Sequence, residues 1–293
     1  MVCADHRPCP ACADARGESA GAENGFALTR CARCGTLFTA RVPGPEDAED
    51  YGSYYDEGNL QVPAFVDRRL DALVARMEPH RRTGRWLDVG FGAGALLRAG
   101  ARRGWEMTGT EVSERAVGAM REAGFDVRGG PLGELEPESF DVVTALEVLE
   151  HVPDPGTLLR EAGRVLRPGG VLYLTTPHAR GLSSRCLGLR WSVVCPPEHL
   201  QLFSIAGLRA LCSSAGIRVR EVHAHGVNPY ELAGALPGKR AKLTGDERVA
   251  GSYRVNEVMT RGRTRVLAKE LVNGMLSVTR LGDTLKLEAE CPM

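Results

Sequence analysis

Three groups of residues in this 293-residue chain combine types and spacings that can do chemistry. The first is Leu87-Asp88-Val89-Gly90-Phe91-Gly92-Ala93-Gly94, an apolar run that ends at an acid and then turns through three glycines. Glycine lets such a turn be tight and lets a ligand come close to the backbone. The amides of a helix starting just beyond it favour a negatively charged group. The next apolar run ends at Glu111, where a carboxylate can accept hydrogen bonds from ribose hydroxyls. Taken alone, the glycines fit two nucleotide cofactors. Gly90, Gly92 and Ala95 supply the G-x-G-x-x-G/A of dinucleotide binders, and Asp88, Gly90, Gly92 and Gly94 supply D-x-G-x-G-x-G without a gap.

The second group is Cys9-Pro-Ala-Cys12 and Cys31-Ala-Arg-Cys34, two C-x2-C pairs. Five of the nine cysteines fall in the first 34 residues, which argues for metal ligation before a disulfide framework. Two such turns facing each other close a tetrahedral S4 site for zinc. Four protein ligands leave no open position, so the ion is expected to be structural. It would supply folding free energy that about forty polar residues cannot draw from a core.

The third group pairs acids with histidines. Glu147-Val-Leu-Glu150-His151 follows a strongly apolar strand, Phe140–Leu146. Glu198-His199 sits in PPEHLQLFS, and His178 ends TTPH. Histidine beside a carboxylate is the usual general base near neutral pH. His199, with Glu198, is the preferred base and His151 the other. His178 reads equally as a loop-shaping hydrogen-bonder.

Around these groups, strand and helix signals alternate. Strands are expected at Trp86–Val89, Met107–Glu111, Phe125–Val127, Phe140–Leu146, Val171–Thr175, Val219–His223 and Thr284–Glu290. Helices are expected at Phe65–Met77, Ala95–Arg102, Glu114–Ala123, Thr157–Leu166, Ile205–Ala215 and Arg265–Leu281. The alternation implies an α/β, Rossmann-like, doubly wound seven-stranded sheet, with ligands at its carboxyl edge. Residues 1–40 form a small zinc ribbon in front of it. Residues 41–84 make a tyrosine-bearing acidic linker and a leading helix, residues 85–293 the main domain, and 233–281 a helical insertion before the last strand that lids the acceptor.

Composition narrows the class. Lys and Arg number 37 and Asp and Glu also 37, so no global field favours a nucleic acid. Nor does any apolar run reach the roughly 20 residues a bilayer span needs, and the N-terminus carries no signal-peptide core. A cytoplasmic chain without membrane association is expected. Charge is segregated, however: residues 1–58 are net acidic, while residues 237–270 hold nine Lys and Arg against four acids, which suits an anionic acceptor.

In its motifs and their order, the stretch from 85 to 178 resembles class I S-adenosylmethionine (SAM)-dependent methyltransferases. LDVGFGAGALL, TEVSERAV, SFDVVTALEVLEHVPDP, RVLRPGGVLYL and TTPH carry the likeness. The resemblance implies cofactor contacts from Asp88, Gly90, Phe91, Gly92, Gly94, Glu111, Val112 and Leu146. Gly130-Pro131-Leu132 stands where relatives often place an adenine-binding acid. The E-x-x-E-H run resembles that of ubiquinone-pathway O-methyltransferases, which implies a divalent ion at Glu147, Glu150 and His151. E-H-L-x-x-F-S resembles sugar C-methyltransferases, where the Glu-His pair lies over the acceptor. A ribbon joined through Tyr51, Tyr54 and Tyr55 resembles natural-product and deoxysugar methyltransferases, which implies that Tyr55 lies beside SAM. The expected activity is O- or C-methylation of a small biosynthetic intermediate. Its rivals are an RNA methyltransferase clamping RNA with the ribbon, an NAD(P)-dependent oxidoreductase, and a non-catalytic SAM-binding subunit.

Overall fold

Seven strands form the main sheet, in the spatial order Arg218–His225, Thr284–Glu290, Leu166–Pro177, Phe140–Leu146, Arg85–Val89, Glu106–Glu111 and Asp126–Gly129. The computed structural model describes residues 6–44, 47, 64–233, 251 and 263–292. The strands are β4 (Arg85–Val89), β5 (Glu106–Glu111), β6 (Asp126–Gly129), β7 (Phe140–Leu146), β8 (Leu166–Pro177), β10 (Arg218–His225) and β11 (Thr284–Glu290). Five of them run parallel, and β11 inserts antiparallel between β8 and β10. Helices α1 (Ala64–Met77), α2 (Ala95–Arg102), α3 (Glu114–Glu122), α4 (Pro155–Val165) and α6 (Ile205–Ser214) cover the faces. Their starts follow the sequence. Ser113, Asp154 and Ser204 accept amide hydrogens three residues on, as N-caps do, and Pro155 occupies the first turn of α4. Among the described residues no helix is long and apolar enough to cross a membrane.

Two apolar layers hold the sheet. Trp86, Leu97, Met107, Met120 and Val142 pack on one side with Val74 and Met77 of α1. Leu87, Val143, Leu159, Leu174, Leu208 and Leu287 pack on the other. Helix α4 ends at Val165, and β8 begins at once with Leu166. Pro168-Gly169-Gly170 is taken into β8 as an irregularity: Phe140 pairs with Leu166, and the next partner of β7 is Val171.

The N-terminal ribbon is β1 (Gly17–Glu23), β2 (Phe26–Cys31) and β3 (Leu37–Thr39). A fourth strand completes its sheet. This is β9, Gln201–Leu202, which follows Glu198-His199 after one residue, Leu200, and pairs antiparallel with β3. Cys9, Cys31 and Cys34 are buried in the same core as Leu87 and Leu208 of the main domain. The ribbon is therefore built into the wall of the larger domain. The first turn of α6 lies so close to it that a Cβ on Gly207 would stand 2.2 Å from Thr36 Oγ1 and 3.3 Å from Cys34 Sγ. The acidic linker with Tyr51, Tyr54 and Tyr55, and most of the insertion at 233–281, lie outside the described residues. Helix α7 (Pro229–Ala233) leads into that insertion and α8 (Arg263–Thr279) leads out of it.

Candidate active site

The ends of β4, β5 and β7 open on one cavity at the carboxyl edge of the sheet. Asp88, Gly90, Phe91 and Gly92 line it from the first loop, and Glu111 and Val112 from the second. Gly130, Pro131 and Leu132 contribute beyond β6, and Leu146 beyond β7. Gly90, Gly92 and Gly94 all take left-handed backbone, and Gly94 caps α2 from that conformation. A side chain at Gly94 would also meet Met120 Sδ at 2.4 Å, so glycine is required there on both counts. The ring of Phe91 packs into the core, where a Cβ on Gly109 would be 2.5 Å from it. Val112, by contrast, is 73% exposed at the rim, an apolar surface ready to be covered.

The two acids do different work. Glu111 Oε2 accepts from the Gly92 amide at 2.9 Å, and its Oε1 accepts from the amides of Val112 at 2.7 Å and Ser113 at 3.2 Å. One carboxylate thus ties the glycine loop to the turn after β5. Asp88 is buried beneath that loop, and Trp86 Nε1 donates to Thr144 Oγ1, which donates to Asp88 Oδ1 at 2.7 Å. Burial pushes the Asp88 carboxyl up to about 7, the Thr144 hydrogen bond opposing and the charge of Glu111 adding to the rise. The native state therefore keeps a proton that the unfolded chain has lost. This contribution to stability is full below about pH 4 and disappears as pH rises through about 7. Between about pH 5 and pH 8, wild-type stability in denaturant titrations should fall by a few kcal/mol. Asp88→Asn should remove that part of the slope; an unchanged slope in the variant would show that Asp88 is not its source.

The acceptor-side residues reach the same cavity from two loops. Glu147, Glu150 and His151 come from the turn after β7, and Glu198 and His199 from the segment before β9. The His151 and His199 rings pack edge to face, with centroids 4.6 Å apart. His199 Nδ1 lies 2.7 Å from the Val193 carbonyl, and His151 Nδ1 lies 2.9 Å from the Glu198 carbonyl. Since a carbonyl can only accept, both Nδ1 atoms carry hydrogen, which leaves each Nε2 as the proton-accepting atom of a neutral ring. Glu198 Oε1 is 4.0 Å from His199 Nε2, and Glu150 Oε1 is 4.0 Å from His151 Nε2.

Glu150 is fully buried. Its Oε2 accepts from Thr176 Oγ1 at 2.9 Å, and burial together with the neighbouring Glu147 charge holds its carboxyl well above the usual range. Glu147, which is exposed, joins no set of three metal-ligating groups among the described residues. Glu150 and His151 converge with His199 instead, their ligand atoms within 4.8 Å of one another. Of the trio that the E-x-x-E-H resemblance implied, Glu150 and His151 stand in that set, and Glu147 lies close enough to Glu150 to raise its carboxyl. His178 turns away from the chemistry: it is buried, its Nδ1 lies 3.0 Å from the Gly282 carbonyl, and burial lowers it to about 4.

Two residues absent from the sequence reading position these loops. Gln201 Nε2 donates to the carbonyls of Leu149 at 2.8 Å and Val152 at 2.7 Å, clamping the turn that carries His151. Arg7 forks between Thr39, Pro153, Leu200 and Gln201, so the arm ahead of the first cysteine pair reaches both histidine loops. Only three-dimensional proximity relates either residue to the site.

The cysteine pairs meet. Cys9 Sγ is 3.6 Å from Cys34 Sγ, Cys12 Sγ is 3.6 Å from Cys31 Sγ, and all four sulfurs lie within 4.8 Å of one another. Sulfurs around one zinc ion stand roughly 3.8 Å apart, so the set fits a tetrahedral ion. Without a cation the thiols must share charge. The hydrogen bond from Cys9 lowers Cys34 to about 5, Cys9 itself is raised by that bond and by burial, and burial pushes Cys12 up to about 11.

A glycine-turned first loop, a ribose-side acid on the second strand and a mixed sheet with an antiparallel strand inserted near one edge define a Rossmann-like nucleotide-binding fold. The chain belongs to the methyltransferase domain family, which it matches over residues 62–222, and it is a class I SAM-dependent methyltransferase. It is 32% identical over 170 residues to a ubiquinone biosynthesis O-methyltransferase of Paracidovorax citrulli, covering 53% of this chain and 71% of that one. To the protein of the same description from Idiomarina loihiensis it is 34% identical over 134 residues, covering 43% of this chain and 51% of that one. A SAM-dependent methyltransferase structure from Archaeoglobus fulgidus shares the fold with a TM-score of 0.53 at 18% identity, covering 82% of this chain and 100% of that one.

Proposed function

We propose that the chain methylates an oxygen, or an acidic carbon, of a small biosynthetic intermediate, with His199 as general base, and that its four clustered cysteines hold a structural zinc ion. The observation that carries the reading is the His151–His199 pair, set on the wall of the cavity that the glycine loop and Glu111 also line. The ubiquinone-pathway description of the relatives supports oxygen as the atom methylated. An anionic acceptor is in keeping with the nine Lys and Arg of residues 237–270.

SAM, when bound, supplies an electrophilic methyl group on a sulfonium. The chain's part is to hold the acceptor in line and to remove its proton as the new bond forms. His199 Nε2 receives that proton. The Val193 carbonyl fixes the ring through Nδ1, and the Glu198 carboxylate beside Nε2 stabilises the imidazolium that results. His151 packs against the ring and restricts its rotation. The four cysteines would hold zinc at the far end of β3, whose pairing with β9 sets where His199 stands.

The test is product release. Purified protein is screened with phenolic, catecholic and sugar hydroxyl acceptors for formation of S-adenosylhomocysteine (SAH). With the best acceptor, His199→Gln should lower kcat by about a hundredfold to ten-thousandfold, with SAH affinity by calorimetry unchanged. Full turnover in the variant would remove His199 from the base role.

A further inference from the structure

The base belongs to a second constellation, of which methyl transfer leaves the thiol unused. Cys195, Glu198 and His199 bring a thiol, a carboxylate and an imidazole nitrogen within 4.8 Å of one another. Cys195 Sγ donates to Glu198 Oε2 at 3.4 Å, and Glu198 Oε1 lies 4.0 Å from His199 Nε2. Sulfur, oxygen and nitrogen ligands around one tetrahedral zinc ion stand roughly 3.4 to 3.8 Å apart, so side-chain rotation alone closes the set. The turn is fixed from behind. His199 Nδ1 meets the Val193 carbonyl and the Glu198 carbonyl receives His151 Nδ1, which is the outer support that orients a metal-ligating histidine toward its ion. His199 is buried, while Cys195 and Glu198 are half-buried, which leaves an ion a way in from solvent.

We infer that Cys195, Glu198 and His199 form a binding site for a thiophilic divalent cation of the zinc and cadmium class, distinct from the four-cysteine cluster. On binding, the Cys195 thiol gives its proton to solvent and the thiolate, one Glu198 oxygen and His199 Nε2 each donate a lone pair; no electron is transferred. The soft thiolate and the imidazole select this class over magnesium or calcium, which take oxygen ligands. The lone pair given to the ion is the one that would take the acceptor's proton. Occupancy therefore switches the transferase off, a consequence that rests on the reading of His199 as base; the binding itself does not.

The experiment titrates cadmium chloride into the full chain, wild type and Cys195→Ser, and counts ions by calorimetry. The expected result is one fewer ion per chain in Cys195→Ser, whatever the four-cysteine cluster holds. In wild type, the same ion should slow alkylation of Cys195 by iodoacetamide at least about tenfold, located by peptide mass, and should shift the His199 Nε2 resonance. SAH affinity should be unchanged in both proteins. Equal ion counts and affinities in wild type and variant, with Cys195 alkylated at one rate with and without cadmium, would overturn the site. If the variant fails to fold, the alkylation and resonance measurements on wild type decide alone. Turnover on the hydroxyl acceptor panel separates the two readings. A Cys195-dependent ion that leaves turnover intact keeps the site and sinks His199 as base, whereas loss of turnover in wild type but not in Cys195→Ser supports both.

Discussion

Glu111→Ala should weaken SAH binding by about two orders of magnitude, close to 3 kcal/mol, while the protein remains folded. The residue is buried at the end of β5, and its two oxygens accept from three amides, those of Gly92, Val112 and Ser113. A carboxylate holding several amides makes strong, charge-assisted bonds, and each amide left without an acceptor in a buried turn carries its own penalty. Alanine would therefore release the glycine loop from the ribose-side turn at the place where the cofactor must meet both. Glu111→Gln keeps one carbonyl oxygen and should cost about tenfold. Calorimetry with SAH measures both. Alanine and glutamine variants that bind as tightly as wild type would mean that the loop is shaped without Glu111, and that the ribose contact lies elsewhere.

The cofactor half of this site was open to reading because its determinants are local. Asp88 to Gly94 and the helix after them, Ala95–Arg102, lie in one continuous stretch, and strand, turn and helix each leave their own period in it. The last strand, Thr284–Glu290, was equally legible from its alternation. The acceptor half was not. His151 and His199 were each singled out, but nothing in their neighbourhoods announces that the rings meet at 4.6 Å. That meeting depends on β9, two residues long, whose partner β3 lies some 160 positions earlier in the chain. A two-residue strand has no period to detect, and it is held by its partner, by the Gln201 side chain and by the buried Leu202. The cysteines were found by spacing for the same reason that the glycines were. What spacing could not convey is that they lie in the core of the larger domain, because burial of a ligand turn is decided by what packs on it, here Gly207 and the start of α6. Tyr55, expected beside the cofactor, lies outside the described residues.

That placement makes the cysteine cluster the second point of large effect. Cys34→Ser should abolish the zinc binding proposed for the cluster and reduce methyl transfer at least about a hundredfold, yet leave SAH affinity within about threefold of wild type. Cys34 ties the cluster to the main domain. Its thiol neighbours Cys9 Sγ and Thr36 Oγ1, its carbonyl accepts from Ser204 Oγ, and Gly207 packs against its sulfur. A structural zinc site contributes on the order of 10 kcal/mol to folding in small metal domains, far more than three short strands gain from pairing. Without the proposed ion, β3 would lose its support, and with it the Thr39 amide that donates to the Leu200 carbonyl and the pairing of Phe38 with Gln201. Both hold the segment that carries His199, whereas the glycine loop and Glu111 are fastened to β4 and β5. Metal analysis, SAH calorimetry and turnover on one preparation distinguish the outcomes. Transfer lost with binding kept assigns the cluster to positioning the acceptor side. If SAH binding collapses in parallel with turnover, the ribbon supports the whole core it shares, and the division of labour between the two halves of the cavity does not hold.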